Sequence, residues 1–393
     1  MSELESLDQI MPVGPLKIAA LEGCREFGAA VDACLVESRK NSHLKPENSN
    51  VISQPGYIAD TYLLDCSCPR FGTGEGKGQI NDSVRGTDLY ILVDVCNYSL
   101  TYTVCGHVNH MSPDNHFQDL KRIIAAANGK AKRVNVVMPF LYEGRQHKRS
   151  KRESLDCSLA LQELVDMGVS NIITFDAHDP RVQNAIPLSG FDSFMPTYQF
   201  LKALVNNVED FQIDNDHLMI ISPDEGAMSR AVYFSGILGV DMGMFYKRRN
   251  YSVIVDGKNP IVAHEFLGDS VEGKDVIVVD DMISSGESML DVAKQVKERG
   301  AKRVFVCTTF GLFTNGLEKF DRYYEQGYIT KVVTTNLHYR NPELLSKPYY
   351  AEADMTKFLA TIIETLNHDS TLSNIETPTA KIHELLSKIH KKD

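Results

Sequence analysis

Val276-Ile277-Val278-Val279-Asp280-Asp281-Met282-Ile283-Ser284-Ser285-Gly286-Glu287-Ser288 reads as a buried strand, two carboxylates, a small-residue turn and the start of a helix. Four β-favouring apolar residues stand in a row, without the alternation of a half-exposed strand, so both faces of their sheet are covered. Beyond the turn, Met289, Val292, Ala293 and Val296 recur at helical spacing. In an open parallel sheet, ligands bind outside the carboxyl ends of the strands. A Ser/Gly turn opening a helix there offers backbone N–H groups and the positive end of the helix dipole to a phosphate. The adjacent acids suit sugar hydroxyls or a cation. Phosphate donors beside hydroxyl acceptors point to a phosphosugar; a solvated Asp-Asp cap is the plainer alternative.

The same pattern runs along the chain. Apolar strand candidates at 16–20, 89–95, 133–140, 171–176, 218–222, 242–246, 276–280, 303–309 and 329–334 alternate with helical stretches such as 154–167, 227–238 and 288–299. Continuous apolar strands alternating with helices predict an α/β protein with parallel sheets covered on both faces. Two segments, from 132 and from 274, repeat strand, polar loop and helix, and each helix ends in a glycine, Gly168 or Gly300, before the next strand. Two similar domains follow, with a boundary near 194–198. Residues 38–65 are polar with two prolines and read as an insertion. The last fifty or so residues hold two further helices, about 354–367 and 378–391.

Bulk properties narrow the function. With 393 residues, 43% hydrophobic and 24% charged, the chain is long enough for two cored domains. No apolar run approaches the roughly 18 residues needed to span a bilayer. The start Met1-Ser2-Glu3-Leu4-Glu5 lacks the basic and apolar regions of a secretory signal, so the expectation is a cytoplasmic protein with no membrane partner. A formal net charge of −11 argues against non-specific nucleic-acid binding, which needs a basic face. Eight scattered cysteines fit a reducing compartment. Cys66, Cys68, Cys96, Cys105, His107 and His110 are of zinc-binding type, but their spacing is not that of a common knuckle, and they read as ordinary thiols.

Against that acidic background, Arg145-Gln146-His147-Lys148-Arg149-Ser150-Lys151-Arg152 stands out after the strand ending near 140. A cationic run at a strand's carboxyl end suits a polyphosphate better than a bland surface. Phe175-Asp176-Ala177-His178-Asp179 ends the next strand. Ser222-Pro223-Asp224-Glu225-Gly226-Ala227 ends another, its glycine allowing close backbone approach. Lys247-Arg248-Arg249 is followed by 250–259, rich in Asn, Ser and Gly, which reads as a mobile loop carrying charge to a transferring phosphoryl group.

The Asp280-Asp281 segment resembles the motif of type I phosphoribosyltransferases. The ordered set of Arg145-Gln146, Asp176-x-His178, Ser222-Pro223-Asp224-x-Gly226, Lys247-Arg248-Arg249 and Asp280-Asp281 resembles the ribose-phosphate pyrophosphokinase family over about residues 15–375. Arg70-Phe71 with Gly74-Glu75 resembles that family's adenine-contacting loop, Ser83-Val84-Arg85-Gly86 its Ser-Ile-Arg-Gly stretch, and 113–127 the helix that follows. The resemblance implies two phosphoribosyltransferase-like domains, each a mainly parallel sheet flanked by helices. Residues 15–198 would form the ATP side, with a helix at 352–375 packing back on it. Residues 199–350 would bind the phosphoribosyl group, and 376–393 would be a helical extension.

It further implies Mg²⁺-dependent transfer of the β,γ-diphosphoryl group of ATP to ribose 5-phosphate, releasing AMP. Phe71, Glu75, Arg145, Gln146 and His147 would contact ATP. His178 and Asp224 would bind or orient magnesium, and Lys247, Arg249 and His178 would be catalytic. Asp280 and Asp281 would hold the ribose hydroxyls, with Ser284, Ser285, Gly286 and Ser288 around the 5-phosphate. A homo-oligomer of dimers assembled into hexamers is implied, the Phe71 loop serving a neighbour's site.

The chain departs from the family at several points. His147 and Gly144 replace its usual Asp and Ala, Thr73 an Asp, Glu225 and Ala227 differ in the pyrophosphate loop, and Glu287 enters a loop that usually reads Asp-Thr-Ala/Gly-Gly-Thr. A carboxylate beside a dianionic monoester leaves a second acceptor open, a less charged phosphate diester such as ADP-ribose. A non-catalytic regulatory homologue is the third reading.

Overall fold

The computed structural model describes residues 10–42, 49–249, 261–376 and 378–389; residues 42, 49, 247–249, 261–264, 374, 376, 388 and 389 are described through their backbone. The loop read as mobile at 250–259 lies outside the described residues. The chain divides into two compact units: residues 1–195, 336–339 and 355–377, and residues 196–335, 340–354 and 378–393.

Unit 1 contains strands β1 (Leu16–Ala20), β2 (Cys66–Ser67), β3 (Gln79–Ile80), β4 (Asp88–Leu92), β5 (Thr101–Val104), β6 (His107–His110), β7 (Arg133–Val137), β8 (Asn171–Phe175) and β9 (Gly190–Phe194). Five of these form a sheet in the order β1-β4-β7-β8-β9, all parallel, while β2–β3 and β5–β6 are antiparallel hairpins. Helices α1 (Arg25–Ser42), α2 (Pro113–Ala127), α3 (Asp156–Asp166) and, from late in the chain, a helix over Thr356–Asn367 belong to this unit. Helix α2 shows why local signals place it well. Ser112 caps it reciprocally with Asn115, Pro113 occupies the first turn, and Asn128 closes it in the left-handed conformation.

Unit 2 contains α4 (Thr197–Asn207), β10 (Leu218–Ser222), α5 (Met228–Leu238), β11 (Met242–Arg249), β12 (Ile261–Leu267) and β13 (Asp275–Ile283). It continues with α6 (Glu287–Glu298), β14 (Arg303–Gly311), α7 (Glu318–Glu325), β15 (Lys331–Thr335) and β16 (Tyr350–Ala353). Numbering the late helix of unit 1 α8 (Thr356–Asn367) leaves α9 (Thr379–Ile389) in unit 2, where it packs on α4. The sheet order is β12-β11-β10-β13-β14-β15-β16, parallel except for β12.

Several strand ends differ from the periodicity. The strand expected at 89–95 stops at Leu92, because the Asp94 carboxylate accepts the Cys96 N–H at 2.9 Å and turns the chain. That at 133–140 stops at Val137, two residues before Pro139, which has no N–H to give. Asp176 adopts φ 44° and ends β8 at Phe175. In the opposite sense, β13 runs on to Ile283, because β14 continues beside it as far as the pair Ile283–Gly311. The polar 38–65 region is partly ordered core. Its first residues complete α1, and Tyr57 and Tyr62 are buried.

Candidate functional site

In unit 2 the strand order reverses between β10 and β13. From there the chain builds outward to β11 on one side and to β14, β15 and β16 on the other. A doubly wound sheet opens a crevice at such a switch point, outside the strand carboxyl ends. The register Ile221–Val278 sets Ser222-Pro223-Asp224 beside Val279-Asp280-Asp281 at that edge. The backbone of Lys247 and Arg249 lies at the carboxyl end of β11, next to β10.

The residues around Asp224 are organised by their own turn. Ser222 Oγ donates to the Asp224 carbonyl at 2.7 Å, and Asp224 Oδ1 accepts the Gly226 N–H at 2.9 Å. Asp280 and Asp281 are consecutive in β13, so their side chains leave opposite faces of the strand. Burial pushes the Asp280 carboxyl well above its ordinary range, and the adjacent Asp281 charge pushes it further. Asp281 faces Arg230 at 3.8 Å, both largely buried. Arg230 is a member of this cluster that the sequence reading missed. Its signal was present: it is the single charged residue of the apolar helix α5.

The Ser284-Ser285-Gly286 turn follows. Gly286 has φ 81°, and a Cβ there would meet the Phe320 ring at 2.5 Å, so the α7 aromatic packs directly beneath the turn. From the same helix, Lys319 Nζ reaches Glu287 Oε1 at 2.6 Å. This pairing draws the exposed Glu287 carboxyl below its ordinary range. Nothing in the local sequence signals a partner 32 positions away.

Unit 1 gathers its own set at the carboxyl ends of neighbouring strands β7 and β8. Arg145 is exposed, and Gln146 donates to the Ser154 carbonyl at 2.8 Å. His147 Nε2 lies 3.5 Å from Asp179 Oδ2, and its ring centroid is 5.4 Å from that of the exposed His178. Arg181 hydrogen-bonds Asp179 through side chain and backbone and holds its carboxyl well below the usual range, against the opposing effect of burial. Asp179, quoted in the sequence motif without a role, is therefore an anionic brace for His147.

Phe71 and Glu75 lie on the 70–76 loop between β2 and β3. Phe71 N–H donates to the Glu75 carbonyl at 2.7 Å, and Phe71 is 55% exposed at the tip. Behind the loop is a cavity of about 710 Å³ lined in part by Arg70, Tyr102, His116 and Asp119. Arg70 and Arg122 converge on Asp119 with bonds of 2.6–2.7 Å, which fixes the base of the loop. Burial pushes the neighbouring Cys66 thiol up to about 11 and Cys68 up to about 12, so both are protonated near neutrality.

Residues 16–168 match the N-terminal domain of ribose phosphate pyrophosphokinase, and residues 200–343 match the phosphoribosyl transferase domain. A ribose-phosphate pyrophosphokinase of Thermosipho africanus is 32% identical over 259 residues, 65% of this chain and 73% of that one. Another, from Vibrio parahaemolyticus, is 28% identical over 332 residues, 84% of this chain and 95% of that one. Phosphoribosylpyrophosphate synthetase from Mycobacterium smegmatis superposes with a TM-score of 0.69 at 21% identity, over 90% of this chain and 99% of its own. The fold class expected from sequence, two phosphoribosyltransferase-like α/β domains with mainly parallel sheets, is the one observed.

Proposed function

The chain belongs to the ribose-phosphate pyrophosphokinase family, and from that premise we propose that it transfers the diphosphoryl group of ATP to the anomeric hydroxyl of ribose 5-phosphate. One observation carries the reading. The acid pair and the Ser/Gly turn of unit 2 stand at the switch point between β10 and β13, where an α/β sheet receives a phosphosugar.

On this reading Asp280 and Asp281 accept hydrogen bonds from the ribose hydroxyls. The turn through Ser284, Ser285, Gly286 and Ser288 gives its N–H and hydroxyl groups to the 5-phosphate. The sugar's anomeric oxygen attacks the β-phosphorus and the bond to the α-phosphate oxygen breaks, leaving AMP. Lys247 and Arg249 supply cations where charge moves to the leaving group. In unit 1, Arg145 and Gln146 hold the triphosphate, and His147, braced by Asp179, lies beside His178.

Magnesium is part of the proposal. It takes oxygen ligands, commonly one or two carboxylates together with substrate phosphates. The half-buried Asp224, fixed by its Gly226 turn, fits that demand. His178 offers unit 1 a nitrogen donor to the metal-bound nucleotide. Bound there, the ion would neutralise phosphate oxygens during transfer. The exposed Phe71 tip fits the adenine of a nucleotide held by a second copy of the chain, so we extend the proposal to a cytoplasmic homo-oligomer.

The test is product analysis. The protein with Mg²⁺, ATP and ribose 5-phosphate should release AMP rather than ADP, only when the sugar is present. Lys247→Ala should lower turnover on the order of 10²–10³-fold. ADP as product, or AMP formation indifferent to Lys247, would sink the reading.

A further inference from the structure

We infer that Lys319 is a positioning residue that lets a phosphate dianion enter a turn carrying Glu287; this rests on the ribose 5-phosphate reading above. Glu287 is the first residue of α6, where a carboxylate interacts favourably with the helix dipole. A ligand phosphate draws on the same dipole, so an uncompensated Glu287 competes with it and repels it. The α7 segment removes that conflict. Phe320 packs against Gly286, and the Thr314 N–H donates to the Ser284 carbonyl at 2.9 Å, fixing α7 against the turn. Lys319, held on that support, closes on Glu287 at 2.6 Å and brings the local charge of the pair to zero.

The pairing also bears on which acceptor is used. An unpaired Glu287 would favour a singly charged phosphate diester over a dianionic monoester. With Lys319 in place that penalty is cancelled, and the turn remains suited to the terminal phosphate of a sugar monoester.

Charge reversal separates this role from a structural one. The variants are Lys319→Glu, Lys319→Ala, Glu287→Thr and the double Lys319→Ala/Glu287→Thr. Steady-state kinetics and calorimetric binding of ribose 5-phosphate are run at low and high salt. Two unpaired carboxylates beside a dianion near the surface, partly screened, predict about a three- to tenfold rise in KM for ribose 5-phosphate in Lys319→Glu. The rise should be smaller in Lys319→Ala, with kcat and KM for ATP within about twofold of wild type. The penalty should shrink in high salt, and the double variant, whose local charge is again zero, should bring KM back to within about twofold of wild type.

An unchanged KM for the sugar phosphate in Lys319→Glu overturns the inference. So does a rise that persists in the double variant or ignores salt, which marks damage to the α7 support. Should Lys319→Glu fail to fold, Lys319→Ala and its salt dependence decide alone. A wild-type protein that binds no ribose 5-phosphate overturns the proposed function itself, and the inference with it; binding by wild type with equal binding by the variants overturns the inference only.

Discussion

Arg39→Met tests what holds unit 1 together. Arg39 of α1 and Glu364 of α8 are 1% and 6% exposed, and they meet through an Arg39 Nε that bonds both carboxylate oxygens at 3.0 and 2.9 Å. Arg39 Nη2 also donates to Asn367 Oδ1 at 2.7 Å, and the guanidinium lies over the Tyr57 ring at 4.3 Å. Burial alone would push the Glu364 carboxyl up; the Arg39 charge and the hydrogen bonds from His368 and Arg39 outweigh it and draw the group down to about 2. The fall from 4.5 to about 2, at about 1.4 kcal/mol per pH unit, favours the ionised form in the folded state by about 3 kcal/mol. Removing one partner of a buried pair generally costs about 3–5 kcal/mol, the same range.

The sign follows from the depressed value. Wild-type stability from Glu364 is fully present above about 4.5 and is lost as pH falls from there toward about 2. In Arg39→Met the buried carboxyl has lost its cation, so the profile inverts and the variant weakens as pH rises. Urea unfolding by far-ultraviolet circular dichroism, with hydrogen exchange of α1 and α8 peptides to assign the transition to unit 1, reads both effects. The double variant Arg39→Met/Glu364→Met should recover most of the loss. A loss below about 1 kcal/mol in the single variant, or a double variant no better than the single, would refute the reasoning.

Two further outcomes are expected. Asp280→Asn should raise the melting temperature near neutrality while reducing turnover: burial and Asp281 raise the Asp280 pKa, so the folded protein loses stability as pH rises above the ordinary carboxyl value, and a neutral isostere removes that loss. A lower melting temperature in calorimetry would contradict it. Ile382→Ala should destabilise unit 2 by about 2–4 kcal/mol, because Ile382 of α9 is fully buried in the core that includes α4 and β16; unchanged hydrogen exchange in α4 would show that α9 is dispensable.

Much of this molecule was legible locally. The strands at 16–20 and 218–222 match their sequence limits, because unbroken apolar runs act within a few residues. The site motifs were legible for the same reason: each is a strand end followed by a turn, with its chemistry in consecutive residues. The reading did not find β9, whose Gly-Phe-Asp-Ser-Phe sequence is largely half-buried at a sheet edge. It stopped β13 at Asp280, when the partner strand β14 carries it to Ile283.

Sequence by itself determined the fold class, the family and the candidate ligand loops, since periodicity and motif spacing are properties of neighbouring residues. Tertiary structure alone decided that β10 and β13 flank the switch point, that Arg230 faces Asp281, that Lys319 cancels Glu287 and that Arg39 is locked to Glu364 across 325 positions. Charge pairing and burial depend on distance in space. Only packing brings residues so far apart in the chain within the few ångströms at which a carboxylate's charge is either compensated or left to repel.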